Sequence, residues 1–254
     1  MYANNLPMRM LRALSTPRLA MGAVVTVALF STACDSASRL TSPTPLSRSS
    51  DVSPTSAPSF TVLGKAGVTC TDGNVTGNVA TFFAAPLGAV TRTTCPLSGT
   101  IHLGDESAQQ AFTDFLGTHA ALAPKVGDVC TTLTGTLAGT TLAPGVYCFN
   151  VAATVTGILT LDGPSDGTWV FNIGSSGTGA LTGTGFSVAM AGGAQACNVT
   201  WWVADAVTMT TSAIKGKILA GAAITLTGGT FRGSASSKAD VTITGTAVTP
   251  CEGN

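Results

Sequence analysis

Three tetrapeptides that alternate an apolar residue with threonine, Val207-Thr208-Met209-Thr210, Ile224-Thr225-Leu226-Thr227 and Val241-Thr242-Ile243-Thr244, begin 17 residues apart each time. The interval relates whole segments, because Ile214-Lys215-Gly216 and Phe231-Arg232-Gly233 keep the same offset. Looser relatives, Val155-Thr156-Gly157 and Leu181-Thr182-Gly183, lie upstream at longer intervals. One such segment cannot bury its apolar side alone, so a short fixed period of β-type segments predicts coils stacked into a solenoid.

Strand geometry then assigns the faces. Successive side chains alternate, so Val207, Met209, Ile224, Leu226, Val241 and Ile243 are expected inside and the threonines outside. Stacking puts Thr208, Thr225 and Thr242 in one column and Thr210, Thr227 and Thr244 in the next, with coils ~4.8 Å apart and columns ~6.7 Å apart. Threonine ladders also stabilise sheets in their own right, by a few tenths of a kcal/mol up to about 1 kcal/mol per cross-strand pair. Yet a solvated strand face normally carries some Lys or Glu to deter edge pairing, and these columns carry none. A uniform grid of methyl and hydroxyl groups therefore points to a working surface.

The rest of the chain is consistent with a rigid exported module. Arg9, Arg12 and Arg18 precede an apolar run, residues 19–30, and then the small residues Ser31-Thr32-Ala33 lead to Cys34. This is the pattern of a secretory signal, and the run is shorter than the roughly 20 residues a membrane-spanning helix needs. Cys34 is either part of a removed signal or the lipid-bearing first residue of a mature lipoprotein, although Ser31 stands where a lipobox usually has leucine. Residues 35–58 are dominated by Ser, Thr and Pro and cannot bury enough surface to offset their ordering entropy, which makes them a tether. The expected organisation is a signal segment over 1–34, a tether over 35–58 and a folded domain over 59–254. Without Cys34 the cysteines number six: Cys70, Cys95, Cys130, Cys148, Cys197 and Cys251. In an exported chain an even set suggests disulfides. Of the fifteen possible pairings, the sequential one (70 with 95, 130 with 148, 197 with 251) would clip successive parts of a solenoid.

Composition excludes several functions. With 9% charged residues and zero formal net charge, the chain lacks the electrostatic footprint of a nucleic-acid binder. No cysteine pair has CxxC spacing and the only histidines are His102 and His119, so neither a metal site nor a cofactor is expected. Asp162, Asp166, Asp205 and Asp240 are scattered and no Gly-x-Ser-x-Gly elbow occurs, so the reading is of a non-enzyme. One helix is expected over residues 105–123, where Ala108, Phe112, Phe115, His119 and Leu122 form an apolar stripe, Asp105 and Glu106 favour the first turn and Pro124 ends the run. Trp201 and Trp202 must face opposite sides of a strand, which predicts that one is exposed, free either to stack on a sugar or to cover the seam between solenoid and helix.

Several stretches together resemble a known family. Pro144-Gly145-Val146-Tyr147-Cys148-Phe149, Thr156-Gly157-Ile158-Leu159-Thr160-Leu161-Asp162, Trp169-Val170-Phe171-Asn172-Ile173-Gly174 and Gly193-Ala194-Gln195-Ala196-Cys197-Asn198-Val199, preceded by Gly99-Thr100-Ile101-His102 and a helix, are similar to successive signatures of the DUF3494 ice-binding-like proteins. The likeness covers roughly residues 60–249. It implies a mainly β fold, an irregular right-handed β-solenoid with one long α-helix alongside, and adsorption to ice through one flat face that often carries Thr-Ala/Gly-X-Thr/Asn. Thr227-Gly228-Gly229-Thr230 fits that pattern; Thr244-Gly245-Thr246-Ala247 and Thr182-Gly183-Thr184-Gly185 keep its first half, and Thr210-Thr211-Ser212-Ala213 departs further. The candidate ice-binding residues are thus Thr208, Thr210, Thr225, Thr227, Thr230, Thr242, Thr244 and Thr246. The expected partner is ice or ordered water, met by a monomer in the cell envelope or secreted, with membrane anchoring if Cys34 is lipidated. The alternative is a cell-surface attachment, glycan-binding or structural envelope module without ice activity.

Overall fold

Left-handed residues recur at one corner of every coil. Just past each Thr-rich strand, residues 72, 94, 157, 185, 211, 228 and 245 all have positive φ. At Gly228 (φ 66°) and Gly245 (φ 60°) the turn is free of a Cβ penalty. Thr211 (φ 48°) makes the same turn with a β-branched side chain, at a cost of about 1–2 kcal/mol. Each corner redirects the chain so that the next strand stacks on the coil below, and all strand pairs are parallel.

The computed structural model describes residues 59–125 and 127–251. The readings placed on residues 1–58, Cys34 among them, fall outside this range. Within it, the strands form one parallel sheet wound into three faces, with a single α-helix, Glu106–Ala121. The first face takes the N-terminal halves of Ala153–Asp162, Leu181–Ala191, Val207–Ala220 and Ile224–Ser237, followed by Val241–Thr244, Gly67–Thr71 and Ala89–Thr93. Coil order and chain order therefore part company: the N-terminal strands stack beyond the C-terminal ones. Gly67–Thr71 pairs with Val241–Thr244, and Phe60–Gly64 pairs with the end of Ile224–Ser237.

The interior is a continuous apolar column. Val207, Met209, Ile224, Leu226, Val241 and Ile243 are all buried, as the alternation requires. On the third face, Tyr147, Phe171 and Trp201 lie in register and stack, with ring centroids 5.5 Å and 4.2 Å apart. The expectation of an exposed tryptophan fails. Trp201 is 0% and Trp202 5% exposed, because Trp201 points into the core while Trp202 lies under the helix and donates from Nε1 to the carbonyl of His119 at 2.8 Å. The alternation was right; the helix covers the outward member.

The helix begins where its sequence signal puts it. Asp105 is the N-cap, and its carboxylate accepts from the Ala108 N–H at 2.8 Å and from His102 Nδ1 at 2.6 Å. Its pKa is lowered: partial desolvation opposes the charge, but these hydrogen bonds outweigh it. Ala108, Phe112, Phe115 and His119 form the buried stripe, packing on Leu63, Ala80 and Leu219. His119 stacks 5.0 Å from Trp202 and donates from Nε2 to the Val203 carbonyl. Burial, with a smaller contribution from Lys238, pushes its pKa below 6.5 against the opposing effect of the Val203 hydrogen bond. The unfolded chain therefore takes up this proton first, so the stabilisation is complete above about pH 7 and declines as pH falls through about 6.5. Thermal midpoints measured from pH 7.5 to 5 are expected to drop further for wild type than for His119→Gln; parallel curves would deny His119 that role.

Three disulfides brace the structure: Cys70–Cys95, Cys130–Cys148 and Cys197–Cys251. Two carboxylates that are candidates for chemistry in the sequence instead join coils, Asp205 accepting from the Gly179 N–H and Asp240 from the Gly67 N–H.

Candidate functional site

On the first face, parallel register converts the short threonine repeat into a long one. Thr154, Thr182, Thr208, Thr225, Thr242, Thr69 and Thr91 are successive partners in one column, and Thr156, Thr184, Thr210, Thr227, Thr244, Thr71 and Thr93 in the other. The grid is two threonines wide and seven coils deep, ~29 Å along the stacking axis at ~4.8 Å per step. None of these residues is buried. Beneath them the intervening residues anchor the sheet: Val155, Met209, Leu226, Ile243 and Cys70 are each at most 2% exposed. Hydroxyls on β-branched side chains have restricted χ1, so their positions repeat with the backbone.

Six of the eight candidate residues lie on this grid: Thr208, Thr210, Thr225, Thr227, Thr242 and Thr244. Two do not. Thr246 is 2% exposed and its hydroxyl donates to the carbonyls of Thr244 and Gly228, both at 3.2 Å. The left-handed turn at Gly245 reverses the side-chain parity, so the residue after it points inward and clasps the corner. Ser212 does the same one residue past Thr211, donating to the Thr210 carbonyl at 2.9 Å. Thr230 is exposed, but it follows Gly228 and Gly229, both with positive φ, and pairs with Ala213 and Ala247 on the second face. The Thr-Gly-Gly-Thr segment thus straddles a corner.

Eight grid residues were missed as candidates: Thr69, Thr71, Thr91, Thr93, Thr154, Thr156, Thr182 and Thr184. Thr156 and Thr182 lie in segments whose likeness to the repeat is visible in the sequence; the four N-terminal ones join only through the out-of-order stacking.

Among the described residues, the one charged side chain within the first-face stretches of the grid strands is Arg92, between Thr91 and Thr93 in the edge coil, where it donates to the Cys95 carbonyl. Lys215 and Arg232 stand in register on the second face, where burial first and the adjacent guanidinium second lower the pKa of the lysine. Such a face offers no general acid, base or metal ligand. It offers rigid, evenly spaced hydroxyls and methyls to a partner that is itself periodic.

Comparison with known proteins gives this surface a context. The ice-binding-like family model matches residues 49–249. An ice-binding protein from the Antarctic ascomycete Antarctomyces psychrotrophicus superposes with a TM-score of 0.69 at 30% identity, covering 78% of this chain and 97% of that one. An ice-binding protein from an Antarctic biological consortium gives 0.67 at 31% identity, covering 75% and 86%. The Arctic yeast ice-binding protein, whose structure was solved to explain antifreeze activity, gives 0.66 at 25% identity, covering 77% and 92%. No curated protein matches significantly. With most of its length matched by the family model, and with the fold and sequence of these relatives, the chain belongs to the ice-binding-like family.

Proposed function

We propose that this protein is an exported ice-binding protein that adsorbs to ice through the two-column threonine grid. The observation that carries the reading is the register: seven successive coils place threonine at both outward positions without one exception. A hydroxyl in water gains little from exchanging one hydration partner for another. Adsorption therefore depends on many small gains that add only if the spacing is held, which a solenoid with buried residues between the threonines in six of the seven coils provides. Methyl groups between the hydroxyls order the adjoining water without binding it tightly. Thr208, Thr210, Thr225, Thr227, Thr242 and Thr244 form the centre of the surface, and the N-terminal coils extend it. The apolar run and Cys34 support export with lipid attachment at that sulfur, residues 35–58 acting as the tether that presents a monomeric domain to the surroundings.

The test is to grow a single ice crystal in a solution of the fluorescently labelled full chain. Incorporation into the ice and faceting of the crystal are expected. Rejection of the label at the growth front, as for a protein that does not bind ice, would overturn the reading.

A further inference from the structure

The third face carries one column of outward residues that changes character partway along. Leu63, Ser236, Leu219, Trp202, Asn172 and Cys148 are successive partners. The helix covers this column as far as Trp202, where it ends. Cys148 is tied to Cys130, which draws the chain that follows the helix back over the sheet. Asn172 stands between the two, beneath a cavity of about 440 Å³ that it helps to line.

Asn172 is 7% exposed, and its Oδ1 is buried with no hydrogen-bond partner among the described residues. Its column neighbours are an indole and a disulfide, so an apolar side chain would satisfy the packing. A buried amide oxygen left without a donor is destabilising, and such groups are few in native structures. Of the other polar groups in the lining, Ser175 and Asn150 are engaged with one another, the Ser175 hydroxyl lying 3.1 Å from Asn150 Oδ1. Asp128 accepts the Lys125 backbone N–H on Oδ2 at 2.7 Å. Ala121 and Leu122, at the helix C-terminus, line the cavity, and the last carbonyls of a helix carry partial negative charge. Lys125 and Asp128 are both exposed, so solvent and salt screen the two charges alike and the buried Asn172 Oδ1 carries the selectivity. Val146 and Val170, in register on neighbouring strands, supply an apolar wall opposite Leu122.

We propose that this cavity binds a small aliphatic primary ammonium ion, with the ammonium among Asn172 Oδ1, Asp128 and the helix C-terminus and the hydrocarbon against Val146, Val170 and Leu122. The ammonium group brings three donors and a positive charge to a set of acceptors, and a short branched chain suits the wall. This site lies on the helix-bearing face and is separate from the threonine grid, so it adds a second binding function that does not depend on ice adsorption.

Saturation-transfer NMR and calorimetric titration of the full chain with 3-methylbutylammonium, against its uncharged analogue 3-methylbutan-1-ol, test the proposal. The amine is expected to bind, and the alcohol to bind about ten-fold more weakly or less, as loss of charge-assisted hydrogen bonds implies. Asn172→Leu should weaken the amine by a similar factor while leaving the thermal midpoint equal to or above that of wild type. Asp128→Asn, at an exposed position, serves as a second variant and should weaken the amine in the same way should Asn172→Leu fail to fold. Absence of amine binding to wild type, equal binding of the alcohol, or undiminished binding by the folded variants would each overturn it.

Discussion

Thr227→Tyr is expected to lose most of the thermal hysteresis and ice-recrystallisation inhibition of the wild type while keeping its circular dichroism and thermal midpoint. Thr227 lies in the fourth of the seven coils, with Thr210 and Thr244 as its column neighbours, so a phenol ring there stands at the middle of the contact surface. Its fold cost is small: the side chain is exposed, tyrosine suits an open strand, and surface changes of this kind usually stay within about 0.5 kcal/mol. Its functional cost is large because adsorption sums many weak contacts on one plane. A ring that projects beyond the methyls holds the neighbouring threonines off the ice as well as replacing one of them. A folded Thr227→Tyr with undiminished ice activity would assign the grid a purely structural role.

Much of this surface was legible because the last three coils repeat at an unbroken interval. Thr208, Thr225 and Thr242 follow one another with no insertion, and alternation alone assigns their direction. Upstream the coils lengthen: the step from Thr154 to Thr182 carries an inserted segment, residues 163–168, and the step from Thr182 to Thr208 another, residues 192–198, with the short 3-10 turn Ala196–Asn198. The period dissolves there although the geometry does not. The N-terminal threonines were invisible for a different reason. Gly67–Thr71 stacks on Val241–Thr244, a contact between chain ends that no interval encodes.

The errors share a cause in the corners. Alternation predicts direction only while the backbone stays extended, and a left-handed residue resets it. Thr246 follows Gly245 and turns inward to bond the corner carbonyls; Thr230 follows two left-handed glycines and emerges on another face. A Thr-Gly-X-Thr pattern is therefore partly a record of how a coil turns. Trp202 shows the complementary limit: the sequence gives its side of the strand, but only the path of the helix decides whether that side meets water.

Replacing both Cys70 and Cys95 by serine is expected to destabilise the domain by about 3.5 kcal/mol, the chain-entropy value for a loop of this length, and to reduce ice activity at temperatures where the protein is still folded. The two effects have one origin. Cys70 is the inward residue between Thr69 and Thr71, 2% exposed, and Cys95 follows the edge strand Ala89–Thr93. Their bond holds the outermost coils of the grid onto the apolar column, and Ala89–Thr93 has a single strand partner, Gly67–Thr71. Without the clasp this edge should fray first, since terminal elements with few buried contacts open at the low end of the stability range. Fraying disorders Thr91 and Thr93 and loosens Thr69 and Thr71, shortening the grid from seven coils toward five. The matched control is Cys130→Ser with Cys148→Ser, which removes a bond of similar span, 18 residues against 25, from the helix-bearing face. It should lose comparable stability and retain ice activity. Hydrogen exchange at residues 89–93, measured beside thermal hysteresis, reads both consequences in one pair of samples. Should the folded Cys70/Cys95 variant exchange rapidly at that strand yet keep full ice activity, the outer coils would contribute nothing, and the working surface would contract to the coils between Thr154 and Thr244.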